Sequence, residues 1–420
     1  MSASAEKAVA AGRALLRQNR DFRLVWVTQG LSSAGTQLLV VAMPLLVLAL
    51  TRSAAAAGLV SAVGTVSVFA GGVMSGPLVD RYDRRAVIVV CESARLLLYS
   101  GLGVLVLAHA VTLTELVAVE AAGGLIWAPS RAALAVTLAR VVPSDQREVA
   151  VAADEARGNA AAVLGHSLGG VCFALGHSIP FLLDALTFLA SIVGITQIKT
   201  SLAPTEDSCL VHQPWSAQLR EGLGWLAAHR TFALLALYSA LLNLSLGGVQ
   251  LTVIVLAGAA AHGATVGLVV AAGSVGGILG AVLAPWLIAR LGRLHAMLVA
   301  FGGMTAMIAA LAIAPGAVGL GTAFAMAWLL VPVTNTVTTP IAFTLIPDAL
   351  LGRVGSVLDL LSGALGAAGP LVAGVLLTRI GHLEPVLLAI PAALASVAIA
   401  LTPALRTLIS APPTQPARDP

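Results

Sequence analysis

The sequence predicts an all-α integral membrane protein whose twelve transmembrane helices form two pseudo-symmetric six-helix bundles. Hydrophobic residues make up 58% of the 420 positions and charged residues only 10%. A soluble chain of this length would need more charge to cover its surface. Apolar runs long enough to cross a bilayer recur along the whole sequence, and landmarks of the first half return in the second. Together these observations predict a duplicated, polytopic membrane protein.

The apolar runs fall into two sets of six, separated by one longer polar stretch. The first set is 22–49, 55–79, 86–108, 113–138, 149–175 and 178–198. The second set is 232–257, 264–289, 294–314, 317–345, 353–378 and 384–404. We therefore divide the chain into an N-terminal segment (1–21), a first bundle (22–198), a central loop (199–231), a second bundle (232–404) and a tail (405–420).

The distribution of basic residues predicts the orientation of the spans. Arg52 and Arg379 are the only Lys or Arg residues in links on one side, whereas roughly 18 basic residues, nearly all of them Arg, fall on the other side. The positive-inside rule therefore predicts a multi-pass protein of the inner or plasma membrane, with cytoplasmic termini. The first apolar run lacks a cleavage site, so we expect it to be retained as a span. Residues 1–21 form either a surface-lying amphipathic helix or a solvated tail.

Two stretches of the first bundle align with stretches of the second. Gly71–Arg84 (GGVMSGPLVDRYDR) aligns with Gly280–Arg293 (GAVLAPWLIARLGR), and Gly165–Gly170 aligns with Gly369–Gly374. Val142-Pro143 also aligns with Ile346-Pro347, at the same offset as the second of these stretches. Such a pattern predicts a parallel repeat of the six-helix unit.

Several classes of function are disfavoured by the composition. The net charge of +4 is scattered among the spans, so we expect no nucleic-acid partner. The three cysteines have neither paired spacing nor a neighbouring histidine cluster, which argues against a disulfide framework and a metal site. No phosphate-binding loop and no catalytic constellation is present. We expect no enzyme activity, no metal and no cofactor, and a monomer that contacts lipid, protons and a small-molecule substrate.

The link between spans 2 and 3 carries the densest charge in the chain. Its residues Gly76–Arg85 read GPLVDRYDRR. This resembles the loop 2–3 signature of the major facilitator superfamily, G-x-L-x-D-R-x-G-R-[KR]. The matching positions include Gly76, Asp80, Arg81, Arg84 and Arg85, whereas Asp83 stands where the pattern has Gly. The resemblance implies a conformational latch at these residues, with Asp80 facing the start of span 11.

Polar residues recur at helical spacing on four of the spans. In the fold that the resemblance implies, the first and fourth spans of each bundle line a central cavity, and polar groups inside a membrane need polar partners. The alternative is that these residues hydrogen-bond between helices. The candidate cavity residues are Gln29, Ser33, Thr36 and Gln37 on span 1, Glu120, Trp127 and Arg131 on span 4, Asn243 and Gln250 on span 7, and Asn335, Thr338 and Thr339 on span 10.

Acidic residues inside the spans are the candidates for proton coupling. Glu120 is the first choice; it could instead recognise a cationic substrate or serve as a structural partner. Arg131 would hold an anionic group or a carboxylate, and Trp127 offers an aromatic face or plain packing. Asp184 and Asp359 are relay or structural candidates. Glu92 with Arg95, and Asp154 with Arg157, are spaced to form self-neutralising pairs.

Span 5 resembles the G-x-x-x-G-P-x-x-G-G signature of exporters in this superfamily, particularly proton antiporters. Gly165, Gly169 and Gly170 match, Ala161 replaces the first Gly, and His166 replaces the Pro. Glycines at this spacing let a neighbouring helix approach closely. His166 either joins proton transfer or is a hydrogen-bonded interior histidine.

Longer phrases resemble the bacterial drug-efflux branch that contains macrolide-efflux and enterobactin-exporter-type proteins. These are PFLLDALTFL (180–189), REGLGWLAAHR (220–230) and PDALLGRVGSVLDLL (347–361). Gly35-Thr36 stands where that branch often has Gly-Asp, so one cavity acid is missing. The resemblance implies a proton-coupled exporter of a drug-like or secondary-metabolite molecule that works by alternating access. The alternatives are an uptake or facilitated-exchange permease, or a non-transporting membrane sensor or partner protein.

Overall fold

The computed structural model describes residues 12, 14–203, 215–260 and 263–410, and in these ranges it contains helices and no strand. The helices of the first half follow one another through short links. They are α1 (Arg20–Thr51), α2 (Ala54–Arg81), α3 (Arg84–Leu107), α4 (Leu113–Val141), α5 (Arg147–Leu175) and α6 (Ile179–Thr196). These are spans 1 to 6 of the sequence.

The helices of the second half include six spans and two shorter helices that flank them. They are α7 (Trp215–Ala228), α8 (Arg230–Ala260), α9 (Gly263–Leu291), α10 (Arg293–Ala310), α11 (Gly316–Leu345), α12 (Asp348–Ile380), α13 (Glu384–Leu401) and α14 (Pro403–Ser410). Among all described helices, 12 are long and apolar enough to cross a membrane. The predicted all-α class with twelve spans is thereby confirmed.

The chain divides into two compact units. The first comprises Met1–Thr51, Val63–His212 and His262–Gly267, and the second comprises Arg52–Ala62, Gln213–Ala261 and Leu268–Pro420, as far as these ranges are described. Each unit therefore holds most of one set of six spans together with a short helical stretch from the other half of the chain.

Both units use the same scheme of helix pairing. In the first unit α1 packs on α5 and α6, and α3 packs on α4 and α6. In the second unit α8 packs on α12 and α13, and α10 packs on α11 and α13. Span for span these are the same four pairs. The shared pairing agrees with the parallel repeat that the sequence predicts.

Helix backbones approach closely where small residues meet. Lipid tails are as apolar as leucine, so van der Waals packing at such contacts drives helix association in a bilayer. On α9, a Cβ added to Gly276 would lie 2.8 Å from the carbonyl carbon of Ala325 and 3.0 Å from its Cα atom. The next residue, Gly277, faces looser surroundings, and its nearest neighbour would be the Trp328 side chain at 3.8 Å.

Three segments are more ordered than the sequence predicts. Residues 14–18 are helical and Leu15 is buried against Phe22, so this part of the N-terminal segment is not a solvated tail. The predicted central loop 199–231 contains the helix α7, because one side of this helix packs on α12. Gly222 contacts the Arg353 backbone of α12, and Leu226 is buried. The predicted tail begins with α14, whose Leu405 and Ile409 are fully buried.

Gly276 and Gly277 provide a matched test of close backbone packing. Gly→Ala gains about 1 kcal/mol of helix propensity in an interior turn at either position. The methyl group fits only at position 277, so we expect Gly276→Ala to be less stable than Gly277→Ala by about 1–3 kcal/mol, a typical cost of overpacking. Thermal unfolding of the two purified variants in detergent measures the difference, and equal midpoints would contradict the packing at Ala325.

Candidate functional site

A cluster of buried charges lies inside the first unit. Glu92 and Arg95, one turn apart on α3, form an ion pair with 3.7 Å between guanidinium and carboxylate, and both are almost inaccessible to solvent. The Glu92 carboxylate also accepts hydrogen bonds from Ser130 on α4 (2.7 Å) and Ser32 on α1 (3.4 Å). The predicted Glu92–Arg95 pair is therefore confirmed and connects three helices.

Arg95 extends this network to α1 and α6. Its guanidinium donates to the Thr36 hydroxyl at 2.9 Å and stacks over the Phe188 ring, 4.1 Å from the centroid. Desolvated cation–π contacts of this kind contribute about 2 kcal/mol. A single side chain thus contacts neighbouring helices on two sides while its charge is balanced on its own helix.

Two further carboxyl groups lie within electrostatic range of Arg95. One is Glu120 on α4, whose carboxylate packs against the backbone of Gly64 on α2. The other is Asp184 on α6, which is fully buried, accepts from Thr187 at 3.2 Å and packs against Gly35 on α1. Its Oδ2 atom has no hydrogen-bond partner among the described residues.

The cluster therefore combines one cation with three carboxyl groups: Arg95 with Glu92, Glu120 and Asp184. Glu92 is neutralised by the ion pair and by two hydroxyl donors. Burying further unpaired negative charges costs several kcal/mol each, so such groups take up protons or meet a cation. An excess of acid around one arginine is suited to binding and releasing protons.

Some candidate residues of span 1 hydrogen-bond to other helices, and others are only partly buried. Gln29 is buried and donates to Ser191 on α6 at 2.8 Å, which is the interhelical alternative that the sequence left open. Ser33 accepts from Arg157 on α5 at 2.9 Å, and Arg157 also pairs with Asp154 at 2.8 Å, which confirms that predicted pair. Gln37 is half-buried at the contact with Gly165.

The other candidate cavity residues are more accessible. Arg131 is exposed and lies 5.3 Å from the Trp127 ring centroid, so the ring and the charge form one cation–π pair on α4. Two of the candidates in the second unit donate to carbonyls of their own helix: Asn243 to Ser239 at 3.0 Å and Thr338 to Thr334 at 3.0 Å. The remaining candidates are half-buried or exposed: Gln250, Asn335 and Thr339.

The glycines of span 5 serve close packing, as the sequence predicts. A Cβ at Gly165 would lie 2.5 Å from the Ala34 carbonyl oxygen, and one at Gly169 would lie 2.6 Å from that of Leu38, both on α1. Gly170 meets the start of α9 in the same way, at Gly263 and Gly267. His166 is buried beside these contacts, with 8% of its surface exposed.

The charged link between α2 and α3 has a structural role within the first unit. Asp83 is the N-cap of α3 and accepts from the Arg85 backbone N–H at 2.8 Å, which explains an acidic residue where the signature has Gly. Arg84 is buried, and its guanidinium interacts electrostatically with the Asp80 carboxylate. Arg81 is exposed, and a Cβ at Gly76 would meet no heavy atom within 4 Å.

Arg84 and Arg85 bind the connecting segment, residues 197–203, which follows α6. Arg85 donates to the carbonyls of Ile198 (2.6 Å) and Thr200 (3.2 Å), and Arg84 donates to that of Leu202 (3.3 Å). This anchoring was not predicted from the sequence. Its partners are backbone carbonyls, which leave no trace in the residue types.

Asp21 holds the connecting segment from the other side. Its carboxylate accepts from the Thr200 hydroxyl (2.7 Å) and backbone N–H (2.9 Å), and from the Lys199 backbone N–H (3.1 Å). Arg140 on α4 donates to the Ala203 carbonyl at 2.7 Å. The start of the central loop is therefore fixed to the first unit by α1, α3 and α4.

Two acidic residues, Asp359 and Glu384, lie on spans of the second unit. Asp359, a predicted proton-coupling candidate, lies outside the residues whose side chains the structure describes. Glu384, at the start of α13, is fully buried and was not identified from the sequence. A glutamate in the first turn of a helix is a common, stabilising and usually exposed residue, so only its burial distinguishes it.

Comparison with known proteins supports one family. The profile of the Major Facilitator Superfamily matches residues 25–370. No curated protein matches the sequence. Among solved structures, a mutant of the nucleoside transporter NupG superposes with a TM-score of 0.73 at 12% identity, covering 92% of this chain and 99% of the other.

Two further structures show the same fold. One is a bacterial homologue of the iron transporter ferroportin in an inward-facing state (TM-score 0.72, 15% identity, 93% of this chain and 99% of the other). The other is a bacterial metal transporter (TM-score 0.66, 17% identity, with 93% and 99% covered). At these identities the likeness shows the fold alone. Since the profile match covers most of the sequence, the chain belongs to the Major Facilitator Superfamily.

Proposed function

We propose that this secondary membrane transporter is a proton-coupled exporter of a drug-like or secondary-metabolite small molecule. The observation that carries the proposal is the cluster of Glu92, Arg95, Glu120 and Asp184, in which one carboxyl group pairs with a buried arginine and two more lie within electrostatic range of it. When water is excluded from the cluster, protonation of a carboxylate removes the excess negative charge. When water enters, release of the proton restores that charge. A cycle of this kind couples proton movement to a conformational change.

In this proposal, Glu120 and Asp184 have different roles in binding the proton. Glu92 is given no part in proton exchange, because it pairs with Arg95 and accepts hydrogen bonds from two serine hydroxyls. Glu120 is half-buried, so it exchanges the proton with water. Asp184 is fully buried with one unpartnered oxygen and holds the proton in the dry state.

The direction of transport rests on the glycines of α5. Gly165, Gly169 and Gly170 occupy the positions of the exporter signature and make the close helix contacts for which glycine is required. The resemblance to the efflux branch adds the class of substrate. Uptake or facilitated exchange is the alternative, and the nucleoside, iron and metal transporters that share the fold show how widely cargo varies on it.

We propose substrate contacts for each unit separately, at its accessible polar residues. Arg131 stacked on Trp127 offers a cation and an aromatic face, which suits a planar substrate that carries an anionic or polar group. Asn243, Asn335 and Thr339 supply hydrogen-bonding groups. Gln29 is excluded from this set because its amide already binds Ser191.

A susceptibility screen tests the function as a whole. We expect expression in an efflux-deficient host to raise tolerance to at least one toxic small molecule, and a protonophore to abolish the gain. Tolerance that survives the protonophore would contradict proton coupling. Increased sensitivity on expression would favour uptake instead.

Glu120→Gln tests the proton-exchanging residue. Glutamine keeps the size of the side chain but cannot titrate, so we expect the protonophore-sensitive part of export to fall to background in everted vesicles. Glu155→Gln is the matched control, because Glu155 is exposed on α5 and lies outside the cluster. Normal pH-driven transport by the Glu120 variant would show that Glu120 is not required for proton coupling.

Asp80→Asn tests the latch that the family resemblance implies. Loss of the charge beside buried Arg84 should abolish export while the protein remains in the membrane. Asp83→Asn, three residues away, should retain export, because asparagine caps a helix as well as aspartate does. Export and membrane content measured for both variants decide the matter, and an active Asp80 variant would disprove the latch.

A further inference from the structure

Among the side chains that the structure describes, the second unit contains one fully buried carboxyl group. It belongs to Glu384, the first residue of α13, and none of its surface is exposed. Its partner is Thr252 on α8, which is equally inaccessible. The pair lies outside the charge cluster of the first unit and was not used in the argument for proton coupling above.

The hydrogen bonds around Glu384 favour a neutral acid. Both carboxyl oxygens lie 2.9 Å from the Thr252 hydroxyl oxygen, which in turn lies 3.0 Å from the Gly248 carbonyl oxygen. A hydroxyl carries a single hydrogen and two lone pairs. A protonated Glu384 donates to Thr252, and Thr252 donates to Gly248, so each hydrogen has an acceptor. An ionised Glu384 would be fully buried, yet its carboxylate would accept a hydrogen bond only from the Thr252 hydroxyl among the described residues.

Among the described residues, no cation compensates for a charge on Glu384. The described contacts contain no ion pair to it, and no charged group among the described residues acts on it. Among the described contacts, no backbone N–H of the α13 N-terminus donates to the carboxyl group, and Pro385 at the next position has no N–H. Burying an unpaired carboxylate costs far more than burying the acid, which is why such groups become neutral.

The titratable and charged groups on the elements packed against α13 lie elsewhere. They are Arg230 and Tyr238 on α8, Arg293 and His295 on α10, Arg353 and Arg379 on α12, and Arg406 on α14. Arg230 precedes Thr252 by a helix length of about 30 Å at 1.5 Å per residue. Arg379 lies at the same end as Glu384 but is exposed. The side chains of Asp348, Asp359 and His382 lie outside the described residues.

We propose that Glu384 is a second proton-binding site, located in the second unit, which holds one proton as a carboxylic acid bonded to Thr252. Release transfers the carboxyl proton to a water molecule, leaving a carboxylate and a hydronium ion, and requires hydration of the start of α13. Proton occupancy of Glu384 follows from the local geometry alone. Its participation in transport rests on the proposed proton-coupled function.

Infrared spectroscopy of the purified full-length protein in lipid nanodiscs tests the site. A protonated carboxyl group has a C=O stretching band that a carboxylate lacks. At neutral pH we expect Glu384→Gln to remove one such band from the wild-type spectrum, and Thr252→Val to shift that band to higher frequency, because a hydrogen bond is lost. Thr252→Ser keeps the hydroxyl and should leave the band in place.

Thr378→Val is the matched control, since the Thr378 hydroxyl bonds only to Val375 on its own helix, at an exposed position. A carboxyl band that is unchanged in folded Glu384→Gln protein would overturn the proposal. If Glu384→Gln does not fold, Thr252→Val decides, and a band that does not move would equally overturn it. The spectra need neither substrate nor gradient, so failed proton coupling in the vesicle experiments leaves this test intact.

Discussion

The requirement that a buried charge must be neutralised within the membrane organises the first unit around Arg95. Its guanidinium pairs with Glu92 on α3, donates to Thr36 on α1 and covers Phe188 on α6, while Glu92 reaches α4 through Ser130. Removing either partner of a buried ion pair leaves the other uncompensated, typically at a cost of about 3–5 kcal/mol. The network therefore links four helices through an ion pair, hydrogen bonds and a cation–π contact.

Close backbone approach is the second constraint, and it determines where glycine is needed. Gly35 leaves room for the Asp184 carboxyl group, Gly64 for that of Glu120, and Gly165 for the backbone of α1. Two of these glycines thus admit the acids of the cluster, so packing and chemistry depend on the same positions. Other glycines, such as Gly76 and Gly277, face open or ordinary surroundings, and the residue type alone does not distinguish the two groups.

The two units pair their helices alike but carry different chemistry. The first concentrates its charge in one network and anchors the connecting segment, residues 197–203, through Asp21, Arg84 and Arg85. The second has a largely apolar core around Phe301 and the isolated Glu384–Thr252 pair. Duplication therefore preserved the packing scheme, which depends on helix geometry, while individual polar residues diverged. The charged link of the first unit keeps its acid, Asp80, opposite Ala289 in the second copy.

The amino-acid sequence by itself determined the spans, the repeat, the family and the two self-neutralising ion pairs, because these depend on hydrophobic length and on spacing along one helix. It also identified Glu120 and Asp184 as unusual. Only the tertiary structure brought them to one arginine, assigned Gln29 to Ser191, and gave Arg84 and Arg85 their backbone partners. Glu384 became notable only once its burial was known. Such contacts join residues far apart in sequence, and the rotation of each helix about its axis, which decides them, is set by packing.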